Sequence, residues 1–221
     1  MLANTNVCSL PSARVETLQR SLFGDGEPRR NERARVDRIV LDDTSWVDVA
    51  REWLHGADTL LDVLVDEIEW HQGRRRMYDR VLDDPRLCHW FRRGDALPHP
   101  ALEAAGRDLD ALLGVRVSGP ACNYYRDGRD SVAWHADREL RELSDTRIAI
   151  LTLGARRPFL LRPKGGGKSH NLAPASGDLL VMGGACQQQW EHAVPKSRDS
   201  GPRVSCSWRW SATVSPRGSP S

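Results

Sequence analysis

The run Asn123-Tyr124-Tyr125-Arg126-Asp127-Gly128-Arg129-Asp130-Ser131-Val132-Ala133-Trp134-His135-Ala136-Asp137 decides how this chain is read. It opens on Asn-Tyr-Tyr, breaks at Asp127-Gly128, and resumes as a short strand that ends in His-x-Asp. On an extended strand, residues i and i+2 point to the same face. The His135 imidazole and the Asp137 carboxylate therefore stand side by side, as two ligands of one metal must. Taken alone, His-x-Asp also describes two polar residues on a surface strand.

The chain further on favours the metal reading. Gln189-Trp190-Glu191-His192-Ala193-Val194-Pro195 places a second histidine in an apolar, aromatic setting. Two histidines and one aspartate make the facial triad of non-haem Fe(II) oxygenases, which leaves neighbouring metal positions open for catalysis. Zinc fits the same ligands but has no second oxidation state to use. Next comes Arg203-Val204-Ser205-Cys206-Ser207-Trp208-Arg209. Strand parity puts Arg203, Ser205, Ser207 and Arg209 on one face and Val204, Cys206 and Trp208 on the other. Guanidinium groups suit carboxylates because their fork of donors fixes both charge and direction. The strand rise separates the two arginine Cα atoms by about 20 Å, so their side chains must lean inward to share one small diacid.

The punctuation around these motifs sets the fold class. Residues 36–41 read as a strand. Residues 45–54 and 58–70 carry apolar residues at helical spacing, and a third helix spans 100–113 with Pro100 in its first turn. From Val117 onward, about eight short strands alternate with glycine turns, among them Gly165-Gly166-Gly167 and Gly183-Gly184. That grammar predicts an α+β chain: a double-stranded β-helix (jelly roll) core with the N-terminal helices packed on one sheet.

Composition adds bounds. The chain has 221 residues, enough for one domain with a sizeable core, and a formal charge of only +2. Lys164, Lys168 and Lys196 are the only lysines, so the basic residues are nearly all arginine, which suits phosphate but also follows from a GC-rich genome. Five scattered cysteines make no Cys-x-x-Cys pair and fit a reducing compartment. With no signal peptide and no apolar run of membrane length, the expected location is cytoplasmic.

The order Asn-x-Tyr, His-x-Asp, His, Arg-x-Ser-x-x-x-Arg resembles the AlkB family of Fe(II)/2-oxoglutarate dioxygenases that dealkylate nucleic acids. Pro85-Arg86-Leu87, Leu153-Gly154 and Trp190-x-His192 with Val194-Pro195 extend the resemblance to about residues 36–210. It implies a dioxygenase domain over 36–210; the proline and glycine breaks and charge run of 1–35 read as a flexible N-terminal arm, and the Ser- and Pro-rich 211–221 as a disordered tail. His135, Asp137 and His192 would hold Fe(II). Arg203, assisted by Ser205 and Tyr125, would take the distal carboxylate of 2-oxoglutarate; Arg209 and Asn123 would take the carboxylate beside the keto group. The family usually carries Asn where Ser205 stands.

The implied reaction consumes O2 and 2-oxoglutarate, releases succinate and CO2, and oxidises an N-alkyl group that leaves as an aldehyde. The substrate would be alkylated DNA or RNA. Expected substrate contacts are Arg86, Tyr78, Trp90, Arg138 and Glu139, with Phe91 a further stacking surface; Arg86, which matches the Pro-Arg-Leu segment, leads a set with Arg74, Arg75, Arg76, Arg92 and Arg93 that is expected near phosphates. Relatives carry an aromatic hairpin between the Pro-Arg-Leu segment and the third helix, whereas here 91–100 is short. An open lid favours single strands, which need no base flipping out of a duplex. The protein is expected to be a monomer. Two other readings stay open: a 2-oxoglutarate-dependent hydroxylase of a protein side chain or small molecule, and a jelly-roll module that binds modified nucleic acid without turnover.

Overall fold

The computed structural model describes residues 24–77 and 80–211, with the backbone alone for 75–77, 80 and 81. Strand β1 (Arg29–Arg30) pairs with β4 (Leu54–His55), and the Asn31 amide donates to the Trp53 carbonyl. The described end of the expected N-terminal arm is thus tied to the folded domain, and residues 1–23 lie outside the description.

Strand β2 (Val36–Val40) pairs with β3 (Ser45–Ala50), where a helix was expected over 45–54. Trp46, Val47, Ala50 and Leu54 satisfy a helical period, but Val47 and Val49 also satisfy a period of two. The local turn decides between them: the Asp42 carboxylate accepts from the Thr44 amide at 2.8 Å, and the Leu41 amide donates to the Ser45 carbonyl. That Asx-type turn closes a hairpin, and the β-branched valines fit a pleated surface.

Helix α1 (Ala57–Glu67) follows Gly56, whose φ of 67° is left-handed; a Cβ there would sit 2.5 Å from the Gly26 carbonyl oxygen. A hairpin of β5 (Arg74–Met77) and β6 (Arg80–Asp83), to which the sequence assigned no element, leads into β7 (Leu87–Trp90). Helix α2 (Pro100–Leu113) has the expected bounds, with Pro100 in its first turn and the His99 ring accepting from the Ala101 amide.

The remaining strands are β8 (Ala121–Tyr125), β9 (Val132–His135), β10 (Thr146–Gly154), β11 (Leu160–Pro163), β12 (His170–Asn171), β13 (Leu179–Gly184), β14 (Trp190–Val194) and β15 (Arg203–Ser211), with the short helix α3 (Cys186–Gln189) before β14. Two antiparallel sheets result, ordered β2-β3-β13-β10-β15-β8-β7 and β12-β11-β14-β9. They make the jelly roll.

Period-two alternation along the central strands sorts the apolar residues into two cores. Ala149, Leu151, Leu153, Val204, Cys206 and Trp208 pack with Leu60 and Leu64 of α1 and Leu102 and Leu109 of α2. Ile148, Ile150, Leu180 and Met182 point the other way, towards Leu161, Trp190 and Val194 of the smaller sheet. Strands covered on both faces must be nearly continuous in apolar residues, as 148–151 and 179–182 are. The helices cover the outer face of the larger sheet, so the cleft between the sheets is left for chemistry.

Candidate metal centre and anion cleft

His135 ends β9, and His192 lies directly opposite it on β14. The fold thus makes neighbours of residues 57 positions apart in the chain. Asp137 follows two residues after His135. One ligand atom from each of the three lies within 4.8 Å of the others. Asp137 Oδ1 is 3.7 Å from His135 Nε2 and 3.9 Å from His192 Nε2, and the two rings tilt at 48° with centroids 4.2 Å apart.

The surroundings prepare these groups as ligands. Burial, then the neighbouring His135, pushes the His192 imidazole down to about 3, which keeps it neutral with a lone pair free. Phe159 stacks on its ring. His135 Nδ1 sits 2.9 Å from the Ala133 carbonyl; as donor to it, the ring presents Nε2 as the ligand atom. Burial raises the Asp137 carboxyl, but Arg209 and then His192 outweigh it and hold it below the ordinary carboxylate range. Arg209 Nε donates to Asp137 Oδ2 at 2.7 Å, leaving Oδ1 turned towards the imidazoles. The Asp137 amide donates to Gln187 Oε1 at 2.8 Å. Gln187 is fully buried and was not anticipated from the sequence, which read only the end of its Gln-Gln-Gln run as strand.

A cleft of about 640 Å³ opens beside the three ligands. Asn123, Tyr125, Ser205 and Arg209 line it, and Arg203 lies beneath it with no solvent exposure. The register is Arg203 opposite Tyr125 and Ser205 opposite Asn123, so the separate motifs of β8 and β15 form one surface. Arg203 Nη2 donates to Thr152 Oγ1 at 3.3 Å, whereas Nε and Nη1 have no hydrogen-bond partner among the described residues. Burial pulls this guanidinium down to about 10. Arg157 is buried nearby, with its guanidinium carbon 5.3 Å from the Tyr125 ring centroid, and donates to the carbonyls of Asp127, Asp130 and Pro195. Unpartnered buried donors cost folding free energy. A carboxylate placed against Arg203 would satisfy both, which is the fit a dicarboxylic acid requires.

The leaning of the two arginines takes a definite form. Thr152, which Arg203 reaches, stands opposite Ser205, and Arg209 Nη1 donates to Ser207 Oγ. Each tip has moved two residues towards the middle of the strand. The gap falls to about two strand residues, roughly 7 Å, a span that a five-carbon diacid can bridge.

On the open side, Trp90 is 65% exposed and lines the cleft with Phe91, Arg86, Arg138 and Glu139. Tyr78 lies outside the described residues, as do the side chains of Arg75 and Arg76. Arg93 is engaged with the Val117 carbonyl and the Asp110 carboxylate, and Arg74 with Asp83. Arg93 thus braces the segment after α2, whereas Arg74 pairs with Asp83 across the β5–β6 strands and stays mostly exposed.

A family model described as "2OG-Fe(II) oxygenase superfamily" matches residues 64–215. The chain is 30% identical to the alpha-ketoglutarate-dependent dioxygenase alkB homolog 3 of Homo sapiens over 88% of its own length and 76% of that protein's. The Rattus norvegicus protein of the same name is 31% identical, with 88% and 74% covered. The DNA oxidative demethylase ALKBH2 of Arabidopsis thaliana is 28% identical, with 68% and 61% covered. Among solved structures, a prolyl hydroxylase from Trichoplax adhaerens, in complex with a hypoxia inducible factor peptide fragment, superposes with a TM-score of 0.57. Its identity is 14%, with 75% of this chain and 83% of that one covered, a likeness of fold.

Proposed function

Because the chain belongs to the 2OG-Fe(II) oxygenase superfamily and, within it, to the AlkB family, we propose that it removes alkyl groups from the nitrogens of DNA or RNA bases by oxidation. Fe(II), 2-oxoglutarate and O2 are the cofactor and co-substrates of this family. The observation that carries the proposal is the meeting of His135, Asp137 and His192 beside a buried arginine with two unused donors.

Iron held by the three ligands would supply the one chemistry no side chain has, O2 activation coupled to decarboxylation of 2-oxoglutarate to succinate and CO2. The protein's own groups do the rest. Arg203, with Ser205 and Tyr125, fixes the distal carboxylate. Arg209 and Asn123 hold the carboxylate next to the keto group, and Arg209 keeps Asp137 ionised and aimed at the metal. Once the N-alkyl carbon is hydroxylated, the hydroxyl gives up its proton to water, the C–N bond breaks, the base nitrogen keeps the electron pair, and the carbon departs as an aldehyde.

Trp90 and Phe91 offer stacking faces to the base. Glu139 accepts from an exocyclic amine, and Arg138 meets phosphate. The exposed Trp90 and the short 91–100 segment favour a single strand, acted on by a monomer. The test is to incubate N-methylated oligonucleotides, single- and double-stranded, with the enzyme, iron and 2-oxoglutarate. Stoichiometric formaldehyde and succinate, faster on single strands, are expected. Succinate production stimulated by a protein or small molecule, with none from any oligonucleotide, would replace the nucleic-acid reading with a hydroxylase.

A further inference from the structure

Arg86 stands just before β7 and was grouped by sequence with the phosphate contacts, yet its guanidinium is turned inward. Its Nε donates to Asn123 Oδ1 at 2.9 Å. The arginine is half-buried, and the contact bridges two neighbouring strands, since β7 pairs with β8 and Cys88 stands opposite Asn123. Asn123 in turn stands opposite Ser205 on the cleft face of β8.

The chemistry of this contact fixes a direction. A guanidinium nitrogen only donates, so the asparagine atom it meets must be the carbonyl oxygen. An isolated asparagine amide can turn over and exchange its oxygen and nitrogen, because the two ends are nearly the same size. With Oδ1 committed to Arg86, the NH2 end is the one left for other partners. That matters only if the ligand is an anion: an NH2 group attracts a carboxylate, and a carbonyl oxygen repels it. We propose that Arg86 is a positioning residue for the co-substrate, acting through Asn123 to present donors to the 2-oxoglutarate carboxylate beside the keto group. This rests on the role assigned above to Asn123. It gives Arg86 a place in selecting a small dianion rather than in gripping a nucleic-acid backbone.

The test is calorimetric binding of 2-oxoglutarate to Mn(II)-loaded protein without O2, for the wild type, Arg86→Ala, Asn123→Ala and the double variant. Each single change is expected to weaken binding by roughly tenfold, the worth of a hydrogen bond to a charged group. The double variant should be no weaker than Asn123→Ala alone, because the two act as one unit. Arg86→Lys, which keeps a donor, should recover part of the loss. The salt dependence of binding to a methylated oligonucleotide should keep its slope in Arg86→Ala, since no phosphate contact is removed. Unchanged 2-oxoglutarate affinity in Arg86→Ala, an equal further loss in the Asn123→Ala background, or a salt slope lower by about one would overturn the proposal. A wild type that binds no 2-oxoglutarate would overturn the co-substrate site itself, a result distinct from those three.

Discussion

The two faces of β15 share one backbone and differ in nearly everything else. Val204, Cys206 and Trp208 face the helices, are almost fully buried, and belong to one apolar core. Arg203, Ser205, Ser207 and Arg209 alternate with them on the opposite face; the last three line the cleft, and two donors of the fully buried Arg203 have no partner among the described residues. The first face lowers the free energy of folding. The second raises it and holds polar groups in readiness for a ligand. The contrast teaches that a strand in this fold can be divided by parity into a stabilising half and a binding half, and that changes to one should leave the other's property nearly intact.

The largest effect should come from the apolar half. Trp208→Ala removes a fully buried indole beside Gly106 and is expected to cost about 3–5 kcal/mol of stability. Denaturant unfolding measures this, and the molecules still folded should bind 2-oxoglutarate as the wild type does. Arg203→Met tests the other half. Removing a buried charge without a counter-ion should leave the melting temperature unchanged or higher. Affinity for 2-oxoglutarate should fall by about 2–5 kcal/mol, read by calorimetry. Loss of stability without loss of affinity would break the comparison.

Ser205→Ala sharpens it on a smaller scale. One hydrogen bond is worth about 1 kcal/mol, so the co-substrate KM should rise about fivefold, with the melting curve unmoved. The smallest effect lies outside the strand. Trp190 Nε1 donates to Asp42 Oδ2 at 2.6 Å at the start of the strand that carries His192. Burial raises the Asp42 carboxyl, but Trp190 and Thr44 outweigh it and hold it down at about 2. A depressed carboxylate contributes stability above its unfolded pKa near 3.8 and loses it as pH falls through the folded value. The wild type should therefore melt above Asp42→Asn at pH 5, with the difference gone near pH 2.

What the sequence made legible follows the same division. Parity along β15 and the His135-x-Asp137 spacing are local properties, and both held in space. The bounds of α2 were readable because proline and glycine mark its ends. The strand over 45–50 was not, because its apolar residues fit two periods and the deciding turn is a side-chain contact at Asp42. Gln187 was invisible because its partner, the Asp137 amide, is 50 residues away and nothing in a glutamine run announces such a bond. Arg86 was visible as a motif residue, but its bond to Asn123 exists only once β7 lies beside β8.

The most direct measurement of the central claim is anaerobic titration of the metal-free protein with Fe(II) and 2-oxoglutarate, followed by visible absorption. The wild type should develop a weak charge-transfer band that saturates with both ligands, and Asp137→Ala and His192→Ala, shown to be folded, should develop none. A full-strength band in folded His192→Ala protein, or no band in the wild type, would contradict the three-ligand site.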